Sequence, residues 1–91
     1  MIYITGISMS PKDSQQHEHI THVYWSEYGT SSEAWWTKQQ AVDWINGGGD
    51  ARVSAGGRYD VKVHVVNASP PYLRTAANGT YTDNLLSLPR F

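Results

Sequence analysis

The sequence predicts an α+β domain: a small, mainly antiparallel β-sheet of about five to six strands with one short helix packed across it, in the order ββ(β)αββββ. Three observations carry this. Short runs of alternating β-branched and aromatic residues recur on both sides of the chain's middle. A single capped, amphipathic run lies between them. Clusters of Gly, Pro and Asn punctuate the later runs closely enough for hairpins. The 91 residues suit one domain over residues 1–91, without repeat or linker.

The elements follow in order. Ile2 and Ile4 alternate with Tyr3 and Thr5, and Gly6 and Ile7 continue a first strand. The polar stretch Ser8 to Gln16 holds Pro11-Lys12-Asp13-Ser14, so a flexible loop is expected near residues 8–16. A second strand is expected from Glu18 to Tyr28, with Ile20, His22 and Tyr24 on one face and Thr21, Val23 and Trp25 on the other. A turn at Gly29-Thr30-Ser31-Ser32 leads to a short extended piece, Glu33 to Trp36. Thr37-Lys38-Gln39-Gln40 matches a capping box, in which Thr37 and Gln40 satisfy each other's backbone donors. Ala41, Val42, Trp44 and Ile45 form the apolar stripe of a helix of about nine or ten residues, too short to stand alone. Asn46-Gly47-Gly48-Gly49 ends it.

Ala51 to Ser54 and Tyr59 to Val66 flank Ala55-Gly56-Gly57 as a hairpin. Tyr59, Val61, Val63 and Val65 point one way, and Asp60, Lys62 and His64 the other, giving one core face and one wet face. After Pro70-Pro71, Tyr72-Leu73-Arg74-Thr75 and Thr80-Tyr81-Thr82 read as a second hairpin about Asn78-Gly79. The apolar tail, Leu85 to Phe91, is expected to dock on the body.

Composition narrows the functions. Hydrophobic residues at 40% and aromatics at 12% argue against a disordered chain. A net charge of −1 argues against non-specific binding of nucleic acid. No stretch approaches the ~18 apolar residues of a membrane span, and no secretory signal is read, so a cytoplasmic protein is expected. The absence of cysteine removes disulfides, thiolate zinc sites and thiol catalysis. There is no phosphate-binding loop, nucleophile elbow or paired-carboxylate arrangement. No catalytic residue is assigned, and no cofactor is expected.

Ile2-Tyr3-Ile4-Thr5-Gly6-Ile7, His19-Ile20-Thr21-His22-Val23-Tyr24-Trp25, Tyr72-Leu73-Arg74-Thr75, Asn78-Gly79 and Asp83-Asn84-Leu85-Leu86-Ser87-Leu88-Pro89 together resemble domain-of-unknown-function family 3892. The resemblance runs nearly the whole length, and its closing block is the most specific part. It implies a small stand-alone domain, common in actinobacteria and their phages, with no assigned activity. No functional residues are carried over.

Three constellations remain as candidate sites. Eleven aromatic rings crowd a short chain. Trp35 and Trp36 are adjacent, so in a strand they face opposite sides and cannot both enter one core layer. Trp25 and Trp44 read as core, and Trp35, Trp36 and Tyr24 are the candidate partner-binding residues, since exposed aromatics anchor interfaces. Arg52, Arg58, Lys62, His64 and Arg74 fall in the more basic half and form a candidate anion-binding set; the bland alternative is a solvated face. His17, His19 and His22, near Glu18, are candidate zinc ligands. On a regular strand His22 has the opposite parity to the other two, and the bland alternative is solvated histidines. The favoured function is a non-enzymatic interaction domain that binds a protein partner or forms a homo-oligomer through an aromatic sheet surface. The alternatives are a nucleotide or small-anion binder and a zinc-dependent hydrolase.

Overall fold

The computed structural model describes residues 1–55, 59–77, 80–82 and 84–91, apart from the side chains of residues 55, 59, 77, 80 and 81. The turns expected at Ala55-Gly56-Gly57 and Asn78-Gly79 reach outside the described residues, as does Arg58. Seven strands form one sheet: β1 (Ile2–Met9), β2 (Ile20–Glu27), β3 (Glu33–Thr37), β4 (Ala51–Ala55), β5 (Tyr59–Val66), β6 (Tyr72–Ala77) and β7 (Thr80–Thr82). The helix α1 (Lys38–Asn46) lies between β3 and β4, and 3-10 turns occupy His17–His19 and Leu85–Ser87. The bracketed third strand of the expected order is therefore a full strand. Ser8 and Met9 belong to β1, so the loop after it begins at Ser10.

The sheet order is β3-β2-β1-β4-β5-β6-β7. Neighbours pair antiparallel except β1 and β4, which are parallel at Ile2↔Ala51 and Tyr3↔Arg52. The chain reaches β4 from the β3 edge by crossing one face with α1, which packs over β2, β3, β5 and β6. The capping box forms as the sequence predicts: Gln40 N–H donates to Thr37 Oγ1 (3.2 Å), and Thr37 N–H donates to Gln40 Oε1 (2.9 Å). Gly48, at φ 102°, ends the helix in a conformation that glycine adopts without a Cβ penalty.

Two bulges decide which side chains reach the core. Ile4 pairs with Trp25 but Gly6 with Tyr24, so Thr5 is an extra residue in β1. Ile2 and Ile4 face the core before it, and Ile7 and Met9 after it, although the two pairs differ in parity. The same happens in β2, where Ser8 pairs with His22 but Met9 with Ile20. Thr21 is the extra residue, and Ile20 is buried on the same side as Val23. This corrects the regular alternation expected for β2: Ile20 joins Val23 and Trp25, while His22 and Tyr24 face outward. On β5 the alternation holds, with Val61 and Val63 buried and Lys62 and His64 exposed.

The tail docks as expected, through a single parallel bridge to β1. β4 leaves β1 after Tyr3, and the vacated edge is taken by Arg90, parallel to Ile7. Ile7 N–H donates to Pro89 O and Phe91 N–H to Ile7 O, both at 3.0 Å. Leu85 is fully buried, with Leu86 and Leu88 packed on the core. Arg90 then ties the tail to the loop after β1, donating through Nη1 to Lys12 O (3.0 Å) and Ser14 O (2.6 Å).

The reciprocal cap is the helix's main local support, so Thr37→Ala is expected to lower stability by about 1 kcal/mol. In thermal unfolding this is a fall in Tm of roughly 4–8 °C for a domain of this size.

Candidate binding face

The helix covers one face of the sheet, and the other face carries a continuous set of aromatic and polar side chains. Trp35 and Tyr24 are directly opposite on β3 and β2. Their rings lie 5.1 Å apart, close enough for the cross-strand contact that stabilises aromatic pairs. Phe91 adds a third ring, edge-on to Trp35 at 5.6 Å and 85°. It lies over Gly6, where a Cβ would come within 2.5 Å of the Phe91 ring. Glycine at this point of β1 is what lets the terminal ring lie against the sheet. Trp35 is 42% exposed and Phe91 62% exposed, so their contact leaves a large apolar surface in solvent.

The other indoles go to the helix side. Trp36 meets Trp25 at 4.8 Å and Trp44 at 5.5 Å, both with tilted rings, and all three pack against the core. Of the adjacent pair in β3, Trp35 is therefore the outward member and Trp36 a core member. The sequence establishes that the two must separate. Which goes where depends on the face that α1 takes, a choice made by packing far along the chain.

Beside this patch the sheet face has a hollow of about 540 Å³, lined by Tyr3, Ile4, Thr5, Ser26, Ser54, Asp60 and Leu88. It lies where β1 changes edge partner, between its pairing with β4 at Tyr3 and with the tail at Ile7. Three hydroxyl residues, Thr5, Ser26 and Ser54, border it. The Tyr3 hydroxyl donates to Asp60 Oδ2 across β4 at 2.7 Å. This pairing of residues 57 apart in sequence has no local signal.

Two phenols on this face lie under the influence of carboxylates. The Asp60 carboxylate holds the Tyr3 phenol above its ordinary 10.0, first by accepting its hydrogen bond, then with help from burial and charge repulsion. The Glu33 carboxylate likewise raises Tyr24 above 10.0. The Tyr3 ring is thus tethered at its polar end by Asp60. On the other side of Tyr3, Arg52 forks onto Asp50 through Nε and Nη2, each bond 3.0 Å long. The Arg52 bonds hold the Asp50 carboxyl below its ordinary 3.8. That contribution to stability is present above 3.8 and is lost as pH falls through the lowered value.

Of the candidate anion-binding residues, Arg52, Lys62, His64 and Arg74 share this face. Arg52 is opposite Lys62, and His64 is opposite Arg74. Asp50 and Asp60 are interleaved with them, and Arg52 already spends its planar fork on Asp50. A phosphate would compete with both carboxylates. The candidate zinc ligands are dispersed. His17 is buried in the 3-10 turn, which packs on β6. His19 Nδ1 lies 2.7 Å from Ser14 Oγ, and His22 is exposed with Nδ1 3.0 Å from Thr21 Oγ1. Among the described residues no three His, Asp or Glu side chains converge on a point where a metal ion could bind. No helix among them is long and apolar enough to cross a membrane.

The two raised phenols give a test by pH. The stabilisation is complete below 10.0 and is lost as pH rises through the raised values. In an ultraviolet tyrosine titration, Asp60→Ala is expected to return Tyr3, and Glu33→Ala to return Tyr24, toward 10.0. Unchanged titration curves would show that these carboxylates do not act on the phenols in solution.

Comparison with curated proteins and with solved structures finds no match. The family model described as "Protein of unknown function (DUF3892)" matches residues 3–89, all but two residues at each end. A match along almost the whole length, over a single sheet and its helix, means that the chain belongs to this family.

Proposed function

We propose that this domain is a non-enzymatic binding module whose working surface is the uncovered sheet face, and that its partner is a protein. The observation that carries the reading is the exposed contact between Trp35 and Phe91, backed by Tyr24. A ring already packed against its neighbours loses little freedom on binding, and aromatic anchors of this kind supply most of an interface's energy. The adjacent hollow, floored by Ile4 and Leu88 and rimmed by hydroxyls, takes a protruding side chain of the partner. Asp60 on this face is engaged by Tyr3, which lowers the cost of bringing an apolar surface down beside it.

The absence of cysteine agrees with a partner in a reducing, cytoplasmic setting. The occurrence in actinobacteria and phages that the family resemblance implies narrows the partner to bacterial or phage proteins.

Substitution separates the two faces. Trp35→Ala is expected to leave folding nearly unchanged while weakening partner binding by ~2 kcal/mol or more, about thirtyfold. Trp36→Ala, on the helix side, is expected instead to cost on the order of 2 kcal/mol of stability. Immobilised wild-type and Trp35→Ala proteins, compared on the same extract and by thermal melting, give the readout. A partner retained by wild type and lost by folded Trp35→Ala supports the reading. Equal retention by both proteins, or retention by neither, overturns it.

A further inference from the structure

The edge of the sheet carries an inference separate from the open face. β3 is an outer strand, and it pairs with β2 without interruption from His22↔Thr37 to Ser26↔Glu33. Just beyond, Glu27 N–H donates to Ser32 O at 2.9 Å. In an antiparallel ladder the bonded pairs recur at every second residue. Ala34 and Trp36 therefore turn their main-chain groups toward β2, and Glu33, Trp35 and Thr37 turn theirs to the free edge. Thr37 is already engaged: its N–H donates to Gln40 Oε1, and as the helix N-cap its carbonyl enters the first helical turn. The N–H and C=O of Glu33 and of Trp35 remain, four groups that find no main-chain partner among the described residues.

Edge strands in stable monomers are usually blunted by proline, lysine, a bulge or extreme shortness. β3 contains neither proline nor lysine, and its register with β2 does not shift.

We propose that two copies of this chain join edge to edge through β3. The strands run antiparallel, with Glu33 of each copy opposite Trp35 of the other and the two Ala34 residues on the two-fold axis. In this register Glu33 N–H donates to Trp35 O and Trp35 N–H to Glu33 O, once on each side of the axis. Every free group of both edges is used. The register shifted so that Trp35 faces Trp35 directs Glu33 at Thr37, whose groups are spent. The two-fold closes the contact, so pairing stops at two copies. The residues on the axis form the close, non-hydrogen-bonded kind of pair, with Cα atoms ~4.5 Å apart. Ala34 is exposed and small, which suits that position. A net charge of −1 offers little long-range repulsion between copies.

Sedimentation equilibrium of the full chain over a wide concentration series is the test. Wild type is expected to reach twice 10.2 kDa as concentration rises. Glu33→Pro deletes an N–H that β2 does not use, removing two of the four bonds, and is expected to raise the dissociation constant at least tenfold. Glu33→Ala keeps that N–H and is expected to stay dimeric. Ala34→Lys sets two like charges against each other on the axis and is expected to give a monomer. Amide exchange supplies a readout independent of Glu33→Pro folding: the Glu33 and Trp35 amides of wild type should slow as the protein is concentrated. A wild type that stays at 10.2 kDa throughout, or a dimer unmoved by both Glu33→Pro and Ala34→Lys, overturns the proposal. So does protection of these amides only by a different protein. Glu33→Pro leaves the Trp35 and Phe91 rings in place, so failure here is distinguishable from failure of the face to bind its partner.

Discussion

A helix of nine residues is about 14 Å long and ~10 Å across. Seven strands at a spacing of ~4.8 Å span roughly 30 Å. The helix can cover part of one face and none of the other, and every strand must answer to that asymmetry. Core-facing positions carry Ile, Val and Leu, and their alternates carry Tyr, Ser, Arg, Asp, Lys and His. The tryptophans divide along the same line. Three meet on the helix side, Trp25 and Trp36 from the sheet and Trp44 from α1, where a thin core needs bulky side chains, and one is left outside. On the open face the Tyr3 hydroxyl finds a carboxylate, Asp60, which lets the ring sit there with its polar end satisfied.

Much of this fold was legible from local pattern. The Thr37–Gln40 box, the alternation of β5 and the order of elements are set by residues a few positions apart, and they appear as the sequence indicates. The bulges were not legible. Thr5 and Thr21 are ordinary strand residues by type; apart from Gly6 beside Thr5, nothing in their neighbourhood marks them as insertions. Each exists because the residues around it bury better with one unit skipped: Ile7 and Met9 after Thr5, Ile20 before Thr21. Period-two reasoning therefore placed Ile20 on the wrong face while placing Tyr24 and His22 together on the correct side of Val23.

The candidate site was legible only in part, for a related reason. Adjacency of Trp35 and Trp36 forces one of them outward, but the choice belongs to the helix. Phe91 went unnoticed as a site residue because its place is fixed by the parallel bridge between Ile7 and Arg90, 83 positions apart. One signal did exist. Gly6 interrupts a run of strand formers, and glycine inside a strand marks a bulge or a close approach by another group. Here both occur side by side, the bulge at Thr5 and the Phe91 ring over Gly6. The hollow beside them has the same origin: where β1 exchanges β4 for the tail, no strand fills the space outside Ile4.

Trp35 belongs to both proposed binding features, through different atoms. Its ring faces outward with Tyr24 and Phe91, and its N–H and C=O face the free edge. In the register centred on Ala34, the two Trp35 side chains are diagonal neighbours on one face, ~7–8 Å apart and within reach of aromatic contact. If the copies pair as proposed, two patches, each of three rings, merge into a single strip running across the axis. A partner long enough to touch both halves would then hold the copies together, and the coupling would be reciprocal: whatever factor partner binding adds to pairing, pairing adds to partner binding. The shortage of volume that leaves rings outside the core would thereby become one extended surface.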